Sequence, residues 1–302
     1  MELPPKDENG EETRHIEAAT PNYTPHKYFF GSRGPPLVKG ITLAGAIRFL
    51  LFGYDQGVFR GQYVSGLSQD FLRTFNYPDS GLLGTINAIY EIGCFAGAIN
   101  VFIIGEYLGR KNCMYVGAAL MLVGAALQAS AYGVPQMIVG RIVCGWGNGF
   151  NTAVTPLWVS ELSPAKSRGR LVSVEGNLIA GGVVVAYFFN IGMSYLPVTN
   201  PVVWRLPIAF QAVFIIAQAA LLLVLPESPR WLAKHDRSEE AFDVLSQISS
   251  KDFEQGNEEA AKFKYHIDRV LALEEAEGSW SISEMFTSGP LKIRRRYMLA
   301  CG

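Results

Sequence analysis

The chain has 302 residues, of which 49% are hydrophobic and 18% are charged, and its formal net charge at pH 7 is −1. Soluble globular domains carry about 25% charged residues, so this composition argues against an ordinary soluble domain. Because the net charge is near zero, no nucleic-acid partner is expected. Most of the charged residues lie in two segments, residues 1–37 and 227–296.

Six apolar blocks fill the region between the charged segments, each long enough to cross a hydrocarbon core of ~30 Å. They are residues 41–63, 82–105, 113–131, 135–159, 171–193 and 206–225. A large soluble helical core is the alternative, but six consecutive blocks with short polar breaks favour the membrane interpretation. The sequence therefore predicts an all-α membrane protein with six transmembrane helices.

The same pattern predicts the order of the regions along the chain. A disordered cytoplasmic tail is expected at 1–38, the transmembrane bundle at 39–225, and cytoplasmic amphipathic helices at 226–290. Residues 291–302 are expected to begin a seventh, truncated transmembrane helix. Lys and Arg concentrate in the loops after the second and fourth blocks, so both ends of the chain are predicted to face the cytoplasm.

The first block contains a carboxylate, in the stretch FLLFGYDQGVFRG. Asp55 lies 14 residues after Ile41, about 21 Å along a helix at 1.5 Å per residue. It would therefore lie about 9 Å below the outer face of a ~30 Å core. Arg141 enters from that face six residues after Pro135, so it is expected at the same depth.

Pairing lowers the cost of each charge, and an intramembrane ionisable residue usually marks an ion or proton pathway. Protonation of Asp55 would then release Arg141 and couple proton movement to a conformational change. A static pair that only fixes helix packing is the alternative.

Three further charges fall within the apolar blocks. Glu91, near the middle of the second block, is either a second titrating site or a hydrogen-bonded packing residue. Glu175 is close to the cytoplasmic end of the fifth block, where partial hydration is expected. Arg48 lies two helical turns before Asp55 and is expected to extend its side chain toward the cytoplasm.

Glycines recur in the fourth block, GRIVCGWGNGF, at positions 145, 147 and 149. Small residues at such spacing permit close helix contact in lipid, where packing drives association. The spacing therefore predicts a tightly packed fourth helix.

Three motifs lie in loops at the predicted cytoplasmic face: GEYLGRK, PLWVSELSPAKSRGR and PESPRWL. Each mixes acidic with basic residues, so a salt-bridge cluster at the helix ends is predicted as a conformational latch. Its members are Glu106, Glu161 and Glu227, which can pair with Arg110, Arg168 and Arg230. A solvated cluster that does not switch is the alternative, because surface pairs are individually weak.

Together, FGYDQGV, GRIVCGWGNG, GEYLGRK and PESPRWL resemble the sugar porter family of the major facilitator superfamily, most closely its fungal proton-coupled members. The resemblance implies that Asp55 is the proton-coupling residue, that Arg141 is its partner, and that the cytoplasmic cluster is a salt-bridge gate. The family's sugar-binding Gln of the fifth helix falls on Gly176. Gln56 and Asn177 are therefore the candidate substrate-binding residues.

The resemblance implies transport of a sugar or related carbohydrate with proton symport, in the plasma membrane, by the N-terminal half of a two-half porter. A non-transporting sugar sensor and an inactive half-transporter are the alternatives, and the chain is expected to need a missing C-terminal half or to self-associate. An enzyme, a metal and a cofactor are not expected, because no His cluster, metal-ligand spacing or phosphate loop is present. The choice among sugar, polyol and sugar acid stays open, as does symport against facilitated diffusion.

Overall fold

The computed structural model describes residues 28, 31, 33–64, 69–163, 168–197, 199–249, 257, 260, 261, 264, 265 and 267. Nine helices organise this part of the chain. They are α1 Pro35–Val64, α2 Gln69–Thr74, α3 Ser80–Leu108, α4 Arg110–Ala129, α5 Val134–Glu161, α6 Arg168–Ser194, α7 Val202–Val224, α8 Pro229–Lys234 and α9 Ser238–Ser249.

The six predicted spans correspond to α1 and α3–α7, so the prediction of an all-α bundle with six long helices is confirmed. Five of them, α1, α3, α4, α6 and α7, are long and apolar enough to cross a membrane by length and composition. α5 is long enough but carries Arg141, Asn148 and Asn151, all of which are buried within the bundle.

The first helix begins at Pro35, six residues before the predicted start at Ile41 and inside the predicted tail. Its first turn buries Leu37 against the core, which explains why the helix extends beyond the apolar block. The rest of the predicted tail, the end of the predicted linker and the predicted seventh helix lie largely outside the described residues.

Local residues set several helix boundaries. Asp79 caps α3, because its carboxylate accepts a hydrogen bond from the Leu82 N–H at 3.1 Å. Gly109, with a φ of 84°, provides the turn between α3 and α4. Pro135 occupies the first turn of α5, where its missing N–H costs no helical hydrogen bond.

Glycines bring the long helices into close contact in pairs. Gly53 and Gly182 hold α1 against α6, since a side chain on either would collide with the backbone of Ile179 or Leu50. Gly145 and Gly149 hold α5 against α3 in the same way. The tightly packed fourth span predicted from the sequence is therefore present as α5.

The two ends of the bundle have separate apolar clusters. At the end where α3, α5 and α7 finish, called here the α8 end, Trp158, Leu222 and Leu232 pack together with Ile248 of α9. At the opposite end, Phe71 of α2 and Phe75 just after this helix pack around Trp204 of α7. The polar residues described next lie between these clusters or at the α8 end.

Candidate functional site

A buried ion pair joins α1 to α5. Arg141 Nη1 lies 3.2 Å from Asp55 Oδ2, and the two side chains are 0% and 2% exposed. The structure thus brings together the two charges that the depth argument matched. Their role in proton coupling stays a prediction.

Arg141 has further partners that do not depend on Asp55. Its Nη2 donates to Asn87 Oδ1 at 2.9 Å, and its Nε donates to the Ile86 carbonyl at 3.4 Å. The guanidinium carbon also lies 3.8 Å from the ring centre of Phe59 and 4.5 Å from that of Tyr90. A desolvated cation–π contact stabilises by about 2 kcal/mol, so these contacts hold the guanidinium in addition to the Asp55 carboxylate.

A second polar contact lies on the less buried flank of this pair. Gln56 Nε2 donates to Glu91 Oε1 at 2.5 Å, which links α1 to α3. Of the two interpretations of Glu91, the hydrogen-bonded one matches this contact. Gln56 follows Asp55 in α1, and Glu91 lies one helical turn after Asn87 in α3, so this contact joins α1 to α3 next to the ion pair.

The prediction for Arg48 was wrong. The side chain does not reach the surface: it is fully buried, donates from Nη1 to Met121 Sδ at 2.8 Å and is hydrogen-bonded through Nη2 to Asn148 Oδ1. Met121 of α4 and Asn148 of α5 lie against its side chain, and the Asn148 amide offers a polar acceptor inside the bundle. The bundle interior therefore holds two arginines.

The prediction of partial hydration for Glu175 was also wrong. Its side chain is 0% exposed, against Gly45 of α1 and Val159 of α5. Neither carboxylate oxygen has a hydrogen-bond partner within the described part of the chain. α1 and α6 approach closely enough to exclude water from this position.

Asn177, the other candidate substrate-binding residue, is exposed on α6. Its Nδ2 donates to the Ser173 carbonyl one turn earlier, at 3.0 Å. This local bond does not connect Asn177 to another helix. The structure does not bring Asn177 into the cluster around Asp55.

The predicted salt-bridge cluster lies at the α8 end. Arg110 pairs with Glu161 through Nε at 3.3 Å, and both side chains are mostly buried, at 12% and 10% exposure. Glu106 pairs with Lys234 of α8 at 2.8 Å, a partner that the sequence analysis did not identify. These contacts connect α3, α4, α5 and α8.

Glu227 caps the N-terminus of α4. Its carboxylate accepts hydrogen bonds from the backbone N–H of Arg110 at 3.2 Å, of Lys111 at 3.0 Å and of Ser228 at 2.8 Å. Burial raises the pKa of the Glu227 carboxyl, and these three N–H groups act against that shift. A carboxylate at a helix N-terminus also meets the positive end of the helix dipole, so Glu227 ties the end of α7 to the start of α4.

The remaining two predicted members of the cluster are Arg168 and Arg230. Arg230 is an exposed residue of α8. Arg168 begins α6, but its side chain lies outside the described residues.

The tryptophans of the motifs also connect the helix ends at the α8 end. Trp231 Nε1 donates to the Glu106 carbonyl at 2.7 Å, and Trp158 Nε1 donates to the Pro226 carbonyl at 3.2 Å.

Sequence reasoning missed Asn87 and Asn148, the acceptors of the two buried arginines. One signal was available: a guanidinium has five donors, more than one carboxylate can satisfy. Polar residues of neighbouring helices were therefore needed as additional acceptors. Their helix faces, however, follow only from the packing of α3 and α5 against α1.

Comparison with known proteins adds independent information. A sequence model of the family described as "Sugar (and other) transporter" matches residues 41–302. The MFS-type transporter oryC of Aspergillus oryzae is 44% identical over 74% of this chain and 41% of its own length. The sugar transporter STL1 of Saccharomyces cerevisiae is 34% identical over 90% of this chain and 48% of its own length.

A solved structure is also similar. The chain superposes on the proton:xylose symporter XylE, bound there to 6-bromo-6-deoxy-D-glucose, with a TM-score of 0.66 and 27% identity. The match covers 78% of this chain and 54% of XylE. The chain thus spans about half the length of the proteins it matches.

Proposed function

The chain belongs to the sugar (and other) transporter family of the major facilitator superfamily. We propose that it forms the half of a sugar transporter that couples transport to proton movement. The observation that carries this proposal is the buried Asp55–Arg141 pair at 3.2 Å. Arg141 is held by several other contacts, whereas Asp55 is the member of the pair that protonation neutralises.

The neighbouring contacts suggest what protonation changes. Asn87 and Ile86 hold Arg141 to α3, and close glycine contacts join α3 to α5. α1 is joined by its own glycines to α6. Protonation of Asp55 therefore weakens the connection between the α1–α6 pair and the α3–α5 pair while each pair remains intact.

The α8-end cluster is the proposed latch. Arg110–Glu161 and the Glu227 cap hold the ends of α4, α5 and α7 together. In a cycle that moves helices relative to one another, these contacts stabilise one conformation and must break in the other. Arg168 and Arg230 are proposed as further members of this latch.

The substrate is proposed to be a sugar or related polyol. STL1 is named a sugar transporter, and another relative is an inositol transporter of Arabidopsis thaliana. XylE is a proton:xylose symporter. Gln56 and Asn177 supply amide groups of the kind that hydrogen-bond sugar hydroxyls, and we propose them as substrate contacts.

We further propose that the protein lies in the plasma membrane with both ends in the cytoplasm. The distribution of Lys and Arg among the short loops supports this orientation. Arg110 and Lys111 begin α4 directly after the short turn from α3, so the α8 end would be the cytoplasmic end.

The test is uptake of labelled sugars and polyols into proteoliposomes that contain the complete gene product. We expect at least one compound to accumulate when the outside is acidic, and a protonophore to abolish the accumulation. The control variant is Asp79→Asn, because asparagine caps a helix N-terminus as well as aspartate does. Binding of a sugar without uptake would favour a sensor and contradict the proposal, as would failure of every compound to bind or enter.

A further inference from the structure

Glu175 is a buried carboxylic acid that the proposed proton coupling does not use. It is 0% exposed in the first half of α6, and neither oxygen has a hydrogen-bond partner in the part of the chain that the structure describes. Its Oε1 occupies the space that a side chain at Gly45 would fill, and Val159 of α5 closes the same space. The carboxyl is therefore enclosed by α1, α5 and α6.

Among the side chains that the structure describes, the charged groups on the surrounding helices are engaged elsewhere or exposed. On α1, Lys39 is exposed, Arg48 is bound to Asn148 and Met121, and Asp55 is paired with Arg141. On α5, Glu161 is paired with Arg110, and on α7, Arg205 donates to the Ala131 carbonyl. On α6 itself, Arg170 is exposed.

An ionised carboxylate without a partner is costly in such a place. Burying an uncompensated charge costs much more free energy than burying an unpaired neutral hydroxyl. The neutral acid is therefore the form compatible with this packing, and the proton must come from water when the helices close.

We propose that Glu175 is a second proton-binding site. It holds its proton while α1, α5 and α6 are packed as in this structure, and it releases the proton when the contact between α1 and α6, called here the α1–α6 seam, opens to water. The inference extends the proposed function, which assigns a proton to Asp55 alone. The two carboxyls differ in their surroundings: Asp55 has the cation of Arg141 beside it, whereas Glu175 has no hydrogen-bond partner among the described residues. Its protonation therefore responds to the closure of the α1–α6 seam.

The position of Glu175 supports this dependence on packing. It lies on the same α1–α6 seam as Gly53 and Gly182, nearer to the α8 end. Any movement that separates α1 from α6 there exposes the carboxyl to water, and ionisation in turn opposes reclosure. A proton at Glu175 and a closed seam thus stabilise each other.

The experiment is infrared spectroscopy of the purified chain in lipid nanodiscs, which detects the C=O stretch of a protonated carboxylic acid. At pH 7 we expect such a band in the wild type, its loss in Glu175→Gln, and its retention in Asp55→Asn. Glu239→Gln, which changes an exposed carboxylate of α9, is the matched control and should leave the band unchanged. A wild-type spectrum without a band that depends on Glu175 at pH 7 would overturn the proposal.

A second readout is the pH dependence of thermal unfolding. A proton bound more tightly in the folded state stabilises at low pH and is lost as pH rises. The unfolding temperature of the wild type should therefore fall relative to that of Glu175→Gln as pH rises from about 5 to about 7, above the ordinary glutamate pKa of about 4.3, and a constant difference would contradict the proposal. If the Gln variant does not fold, Glu175→Met serves in its place. Neither readout requires sugar transport, so failure of the proposed function and failure of this inference are separate results.

Discussion

Arg141 of α5 lies 3.2 Å from the Asp55 carboxylate of α1 and, through a different nitrogen atom, 2.9 Å from Asn87 of α3. One guanidinium therefore joins three helices, and only its bond to α1 depends on a group that protonation can neutralise. Protonation of Asp55 would therefore weaken the contact between α1 and α5, while the bonds of Arg141 to α3 remain.

Removal of the carboxylate should destabilise the protein strongly. Breaking a buried pair by removing one partner leaves an uncompensated charge and costs about 3–5 kcal/mol. We expect Asp55→Ala to lower the free energy of unfolding by this amount and Asp55→Asn by less, because the amide oxygen still accepts a hydrogen bond. Denaturant unfolding in detergent micelles measures the effect. Equal stability of Asp55→Ala and the control Asp79→Asn would contradict this account of the pair.

The two buried arginines should respond differently to the same substitution. Arg141→Met leaves Asp55 without a cation, so a loss of about 3–5 kcal/mol is expected. Arg48→Met removes a cation whose Nε has no hydrogen-bond partner in the described residues. The substitution also leaves the buried Asn148 Oδ1 without its donor, which costs about 1–3 kcal/mol, so a smaller loss than that of Arg141→Met is expected. Similar losses in the two variants would show that Arg48 also neutralises a carboxylate.

The α1–α6 seam depends on one glycine and not on its neighbour. A Cβ at position 182 would collide with the Leu50 carbonyl of α1, whereas nothing lies within 4 Å of one at position 181. Gly182→Ala should therefore cost about 1–3 kcal/mol through overpacking, whereas Gly181→Ala should be neutral or stabilising by up to about 1 kcal/mol. The unfolding temperatures of the two variants measure this difference. The reverse order would mean that α1 and α6 are not in close contact.

The latch contacts should differ in strength according to burial. Arg110 and Glu161 are 12% and 10% exposed, whereas Lys234 and Glu106 are 48% and 44% exposed. Double-mutant cycles with alanine should give a coupling energy of about 1 kcal/mol or more for the first pair and below about 0.5 kcal/mol for the second. A coupling energy near zero for Arg110–Glu161 would remove this pair from the latch.

The sequence was sufficient for the helices and for the main ion pair. Hydrophobic block length predicted six spans, and counting residues from each membrane face placed Asp55 and Arg141 at one depth. Depth alone could not predict that the side chains of Arg48 and Glu175 are buried. Burial depends on how each helix is rotated about its axis and on which helices cover it. Gly45, which makes room for the Glu175 carboxyl, has meaning only once α1 and α6 are packed together.

The partner of Glu106 was missed for a related reason. Lys234 follows PESPRWL by two residues, so it lies outside the motifs whose arginines were predicted to pair with the glutamates. The short helix α8 turns Lys234 back toward the end of α3, where the ion pair forms at 2.8 Å. Such a contact follows from the angle between α7 and α8, which residue spacing does not determine.

The most direct test of the central claim is the movement of protons that accompanies sugar. Proteoliposomes of the complete protein are mixed with a transported sugar without an imposed gradient, and external pH is followed with a membrane-impermeant dye. The account predicts alkalinisation outside the vesicles for the wild type and for Asp79→Asn, and none for Asp55→Asn, which should still bind the sugar. Proton uptake by Asp55→Asn equal to that of the wild type would contradict the assignment of Asp55 as the coupling residue.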